Sequence, residues 1–110
     1  MSFHSSASDV RVDDGHILRA RLDNGQGEQV DAELDLNTAV GNDNGNFVWG
    51  GEKFAESAEN ISFSLEGGDG VPILRASLRD LEDNLNDRDL NLAERIRNEG
   101  GSLVFVFQPD

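Results

Sequence analysis

Short polar side chains crowd the turns of this 110-residue chain, and chemistry is sought first among them. Asn42-Asp43-Asn44 precedes Gly45, and Asn98-Glu99 precedes Gly100-Gly101. Carboxylates, amides and hydroxyls held rigidly on turns can bind a polyhydroxylated ligand without a metal, because each offers hydrogen bonds of fixed direction. An asparagine ahead of a glycine turn also satisfies its own backbone, so a structural role for Asn42 and Asn98 stands beside a binding one. Asn44-Gly45 alone reads as a hairpin turn. Other chemistries fit poorly. Asn42-Asp43-Asn44-Gly45 has a faint calcium-loop look, but Val40 occupies the place of its first carboxylate and no glutamate closes it. His4 and His16, the two histidines, lack HExxH spacing and read as surface residues. Gly67-Gly68-Asp69-Gly70 lacks the lysine and following helix of a phosphate cradle. Among 22 acidic residues no pair is singled out for glycosidase work. Asn60-Ile61-Ser62 is a formal glycosylation sequon, though Asn60 reads better as ordering a strand entry. No metal, no cofactor and no catalysis are expected.

The elements that must position these groups are strands. Leu18, Ala20 and Leu22 alternate with Arg19 and Arg21; Val30, Ala32, Leu34 and Leu36 with Asp31, Glu33 and Asp35. Ile61, Phe63 and Leu65, then Leu74, Ala76 and Leu78, then Leu103, Phe105 and Phe107 repeat the period of two, which marks half-buried strands. Trp49 and the six phenylalanines fall mostly on the inward parity and read as core. Two spots break the rule: Leu36 with Val40 and Leu92 with Ile96 stand four apart behind Asp35 and Asn91, which predicts one brief helical turn at each, of the 3-10 kind. The acidic run Glu82-Asp83…Asp87…Asp89 reads as a solvated face. Composition narrows the function. With 9 Lys+Arg against 22 Asp+Glu the net charge is −13, the wrong sign for nucleic acid or anionic membrane. No cysteine is present, so disulfides and thiolate chemistry are excluded. No apolar run approaches a membrane span, and Met1–Val10 lacks the layout of a signal peptide. A cytoplasmic or unconventionally secreted protein is expected.

An internal duplication is the strongest signal. Residues 32–49 align without gaps on 88–105, pairing Leu34-Asp35-Leu36 with Leu90-Asn91-Leu92 and Phe47-Val48-Trp49 with Leu103-Val104-Phe105. Ile17–Leu22 matches Ile73–Leu78 in the same register, and Phe3, Ser6, Ala7 and Val10 match Phe54, Ser57, Ala58 and Ile61. Two copies, residues 1–51 and 52–110, imply a pseudo-twofold molecule with two equivalent surface clefts.

These landmarks resemble the cyanovirin-N homology family, whose doubled signature places L-[DN]-L ahead of [IV]-x-N-x-x-G-x-[LF]-x-[WF]; here that is Leu34-Asp35-Leu36 with Val40 to Trp49, and Leu90-Asn91-Leu92 with Ile96 to Phe105. The resemblance spans essentially the whole chain. It implies an all-β, pseudo-twofold fold of two strand-exchanged repeats with short one-turn 3-10 helices. It implies a single domain over residues 1–110, with one lobe near residues 1–40 plus 95–110 and the other near 41–94. It implies a lectin for α1,2-linked mannose, with high-mannose oligosaccharides or glycoproteins as partners, no nucleic acid and no membrane insertion. The positions of the family's disulfides hold Ala7, Ala20, Ala58 and Ala76, as in cysteine-free fungal members. That removes about 2–4 kcal/mol of constraint per bridge and suits a reducing compartment. Carried over by position, the second-lobe pocket uses Asn42, Asp43, Asn44, Lys53, Glu56, Ser57, Ser77 and Arg79. The first-lobe pocket uses Ser2, Ser5, Ser6, Arg21, Asp23, Asn98, Glu99 and Gly100. Gly41 and Glu52-Lys53 near the second pocket, and Gly100 in the first, depart from the family's usual types. The Gly50-Gly51 hinge reads as flexible, which favours a monomer over a domain-swapped dimer. The rival readings are a protein-interaction or structural module whose sugar sites have decayed, and an acid-catalysed hydrolase.

Overall fold

The computed structural model describes residues 7–68 and 70–106. Each copy folds as a three-stranded antiparallel sheet, a 3-10 turn and a hairpin. In the first copy β1 (Ala7–Asp13), β2 (Ile17–Asp23) and β3 (Gln29–Asp35) form the sheet, and β4 (Val40–Asp43) with β5 (Asn46–Trp49) the hairpin. The second copy repeats this with β6 (Ala58–Glu66), β7 (Val71–Arg79), β8 (Leu85–Asn91), β9 (Ile96–Glu99) and β10 (Ser102–Phe105). Asp35 and Asn91 cap the turns Leu36–Thr38 and Leu92–Glu94, each side chain accepting from the backbone N–H two residues on, as expected. Val40 and Ile96 lie beyond those turns, as the buried first residues of β4 and β9.

The register confirms the duplication residue by residue. Ala7 pairs with Leu22 and Ala58 with Leu78; Ile17 with Asp35 and Ile73 with Asn91. Both copies bulge at one place, between Ser8 and Arg11 and between Glu59 and Ser62, where Asp9 and Asn60 take φ of 54° and 56°. Asn60 of the formal sequon is therefore a bulge residue inside β6 and not a strand entry.

The hairpins cross over. The β4–β5 turn of the first copy packs on the second copy's sheet, where a Cβ on Gly45 would meet Asn86 Nδ2 at 2.6 Å. The β9–β10 turn of the second copy packs on the first copy's sheet, where a Cβ on Gly101 would meet Val30 Cγ2 at 2.6 Å. The result is elongated, 50 × 25 × 23 Å. Leu18, Leu22, Leu36 and Val40 of one copy join Leu74, Leu92, Ile96 and Leu103 of the other in one core. Ala20 and Ala76 are buried, and Ala7 and Ala58 pack half-buried against that core. Trp49 stacks on Phe105, its repeat partner, at 5.6 Å, both half-buried.

Phe54 is core as read, fully buried beside Phe47, and it reaches there from a third 3-10 turn, Phe54–Ser57. Two expectations change. Leu65 is half exposed because β6 runs past the core toward the Gly67 turn. The Gly50-Gly51 hinge is held tightly. Gly50 N–H donates to the Ala39 carbonyl at 2.8 Å, and Gly51 meets Gly41 so closely that a Cβ on Gly41 would lie 2.9 Å from Glu52 N. Glycine serves close backbone approach at this point, not looseness.

Acid should weaken this fold in a defined window. The Arg75 guanidinium, with help from the Ser64 hydroxyl, holds the Glu66 carboxyl from its ordinary 4.5 down to about 2. Burial raises Asp35, but hydrogen bonds from His16 and the Asn37 N–H outweigh it and leave its pKa low. Bonds from Asn86 and from the Asn84 N–H lower Asp80. Depressed folded-state values stabilise above the ordinary carboxylate range and lose that effect as pH falls through the lowered values. The thermal midpoint should be flat from pH 7 to about 5 and fall between pH 4.5 and 2. Glu66→Gln should flatten part of that fall, modestly because the pair is exposed to solvent.

Candidate functional site

Each end of the molecule is tied together by one asparagine at the base of a hairpin. At the second end, the β4–β5 turn has Asn44 and Gly45 at φ of 50° and 86°, the tight two-residue geometry that matches strand twist. Asn42 Oδ1 accepts from Gly45 N–H at 2.8 Å, closing the turn. Asn42 Nδ2 donates to the Arg79 carbonyl at 2.8 Å and to Ser57 Oγ at 2.9 Å, crossing into the other copy. Asn44 Oδ1 accepts from Leu81 N–H at 2.9 Å and fixes the β7–β8 loop against the hairpin. Three of the eight residues expected there, Asn42, Ser57 and Arg79, are thus bonded together, and Asn44 is tied beside them to Leu81. Both amide protons of Asn42 are spent inside the protein, so its side chain is structural, and hydrogen bonds to a ligand must come from its neighbours.

Those neighbours are Asp43, exposed on the hairpin, and Lys53 and Glu56, exposed on the segment between the copies. Lys53 is left-handed at φ 61°, and its carbonyl accepts from Glu56 N–H at 3.1 Å. The Arg79 guanidinium is bound to Glu59 at 2.6 Å and to Asp83 at 2.8 Å. Ser77 turns another way. Its buried hydroxyl donates to Asp87 at 2.6 Å and accepts from Asn60 at 3.4 Å, on the outer face of the β6–β7–β8 sheet. That face holds a shallow concavity of about 630 Å³ that Ser77, Arg75 and Asp89 help to line.

The first end repeats the plan. Gly100 and Gly101 take φ of 62° and 96°. Asn98 Oδ1 accepts from Gly101 N–H at 2.8 Å, and Nδ2 donates to the Asp23 carbonyl at 2.9 Å. Asp23 is the repeat partner of Arg79, so the two cross-copy bonds are equivalent. The Asp23 carboxylate accepts from Gly25 N–H at 2.8 Å, Glu99 is exposed, and Arg21 reaches Asp31 at 3.4 Å. A second concavity, of about 420 Å³ beside Arg19 and Asp31, lies on this sheet's outer face. Ser2, Ser5 and Ser6 lie outside the described residues, as does His4. His16 is half-buried and bonded to Asp35 at 2.9 Å. Among the described residues no group of three His, Asp or Glu is placed to hold a metal. No described helix is long and apolar enough to cross a membrane.

Residues 3–104 match the model of the CVNH domain. The chain belongs to the CVNH family. A cyanovirin-N homolog of Neurospora crassa is 47% identical over 111 residues, covering 97% of this chain and all of that protein. The solution structure of the CVNH protein of Gibberella zeae, 45% identical, superposes with a TM-score of 0.90 over 94% of this chain and 96% of its own. Two further CVNH-fold structures hold sugars. Microvirin, 23% identical, is solved with mannobiose (TM-score 0.84, 94% of this chain, 97% of its own), and a variant of MoCVNH3, 25% identical, with a tetramer of N-acetylglucosamine (TM-score 0.81, 94% and 95%). CVNH proteins are carbohydrate-binding lectins and not enzymes, and this one is a lectin of that kind.

The sites have parts that alternation and turn signals do not reveal. Asn37 accepts from both Lys53 N–H and Ala55 N–H, yet its repeat partner is Ala93, so the duplication hides it. Leu81, which is 89% exposed, stands at the second-end rim where the first copy has Gly25; an exposed leucine in an acidic turn carries no periodic signal.

Proposed function

We propose that the chain recognises the α1,2-linked mannose of high-mannose glycans through polar pockets at one or both ends of the molecule. The observation that carries this is the paired asparagine tie. Asn42 and Asn98 each lock a hairpin to the other copy's sheet, so exposed short polar groups (Asp43, Lys53 and Glu56 at one end, Asp23 and Glu99 at the other) stand on fixed backbone. Rigidity matters because each hydrogen bond to a neutral hydroxyl nets only about 1 kcal/mol after water is displaced, leaving little to spare for ordering loops. Single-site affinity should be micromolar or weaker, a binding free energy no more negative than about −8 kcal/mol. Two ends on one molecule would raise apparent affinity on a branched glycan. Mannobiose, the sugar held by microvirin, is the first probe. Titrated into isotope-labelled protein, it should shift the amides of Asp43, Glu56 and Ser57, of Asp23 and Glu99, or of both sets. Shifts with an N-acetylglucosamine tetramer alone would overturn the mannose reading, and silence toward both sugars would leave the protein-interaction module in its place.

A further inference from the structure

Among the described residues the copies match in their sheets, hairpins and the turns behind Asp35 and Asn91, so a position there where they differ, with a hydrogen bond at stake, marks something that one end needs and the other does not. Asn37 is such a position. Its carbonyl accepts from Lys53 N–H at 2.7 Å and its Oδ1 from Ala55 N–H at 3.1 Å. These two donors bracket Phe54 and open the 3-10 turn that carries Glu56 and Ser57. Ala93, the repeat partner, keeps the backbone carbonyl but has no side-chain acceptor. Gly41 closes on the same segment from the other side, with room for no Cβ against Glu52 N, and its repeat partner is Arg97. The linker between the copies is therefore gripped between the Leu36–Thr38 turn and β4, and both gripping positions differ from their repeat partners.

We infer that Asn37 is a positioning residue for the second-end sugar site, with Gly41 as the opposite jaw of one clamp. The inference rests on the lectin reading of that end. The clamp sets Lys53, Glu56 and Ser57 in place before ligand arrives, and Ser57 passes the setting on to Asn42 through their 2.9 Å bond. A segment already ordered gives up less freedom on binding. Alanine at position 37 is compatible with the backbone, because Ala93 occupies the same place in the same turn. A side chain at position 41 is compatible with the hairpin, because Arg97 occupies that place in β9. Neither substitution should unfold the protein.

The test compares wild type, Asn37→Ala, Asn37→Asp and Gly41→Ala, each isotope-labelled and titrated with mannobiose, with amide exchange measured on the free proteins. Asn37→Ala should weaken the second end about fivefold, the worth of one hydrogen bond. Asn37→Asp keeps the acceptor and should stay within about twofold of wild type on the same scale. Gly41→Ala should weaken the second end like Asn37→Ala. Ala55 N–H should exchange faster in Asn37→Ala and not in Asn37→Asp, while Gly101 N–H at the first end stays unchanged in all. Unaltered Ala55 exchange, equal weakening by Asp and Ala, or equal disturbance of both ends would overturn the clamp. A wild-type second end that ignores mannobiose would defeat the lectin reading of that end and the positioning role with it, while faster Ala55 exchange would still register the clamp itself.

Discussion

Phe54→Ala is expected to lower the unfolding free energy by about 3–5 kcal/mol, the cost of emptying a large, fully enclosed aromatic site. Phe54 is the bulkiest of the fully buried side chains, with its ring 5.8 Å from that of Phe47 and tilted by 56°. It enters the core from the segment joining the copies and is the large apolar anchor of a stretch that no ladder holds, beside the backbone bonds to Ala39 and Asn37: Gly50 to Lys53 carry no strand, and the turn after them is one 3-10 turn long. Removing the ring leaves a cavity and frees the linker together. Phe54→Leu refills most of the volume and should recover more than half of the loss. Urea unfolding followed by Trp49 fluorescence measures both variants; a loss under about 1 kcal/mol for alanine would show that the site collapses or that the linker is held by its backbone bonds alone.

Phe54 also shows where the sequence is readable and where it is not. Period-two alternation identified the inward faces of β2, β3 and β7, because Leu18, Leu22, Leu74 and Leu78 must leave water on one side of a half-solvated sheet. Gap-free repetition made Asn42 equivalent to Asn98 and Arg79 to Asp23, and the structure answers with equivalent bonds from Asn42 to Arg79 and from Asn98 to Asp23. Periodicity failed where one or two residues do a job by themselves. A lone phenylalanine amid Lys53, Ala55 and Glu56 has no neighbour of like kind to signal a 3-10 turn. The tightness of Gly41 against Gly51 depends on residues ten apart whose shared feature is a missing side chain. Ser77 faces outward as its parity against Leu74, Ala76 and Leu78 requires, yet parity alone does not say that Asp87 opposite would take its hydroxyl.

The asparagine ties carry the second large prediction. Asn42→Ala removes the bond closing the β4–β5 turn and two bonds to the other copy, about 3 kcal/mol at roughly 1 kcal/mol each. Asn98→Ala removes the equivalent turn bond and the bond to Asp23, about 2 kcal/mol on the same scale. The ties share no partner and lie at opposite ends of a 50 Å molecule, so the double variant should lose their sum within about 0.5 kcal/mol. That sum rivals the whole stability of a marginal small domain, about 5 kcal/mol. Aspartate separates the two functions of the side chain. Asn42→Asp keeps an oxygen for Gly45 N–H and another that can accept from the Ser57 hydroxyl, but it has no proton for the Arg79 carbonyl and sets like partial charges against it. If the tie between copies matters more than the turn, aspartate should cost nearly as much as alanine, and mannobiose shifts should fade at the second end while the first end answers as before. Recovery of most of the stability by aspartate would instead place the energy in the hairpin, which would reduce the cross-copy bond from a fastening of the binding surface to an incidental contact.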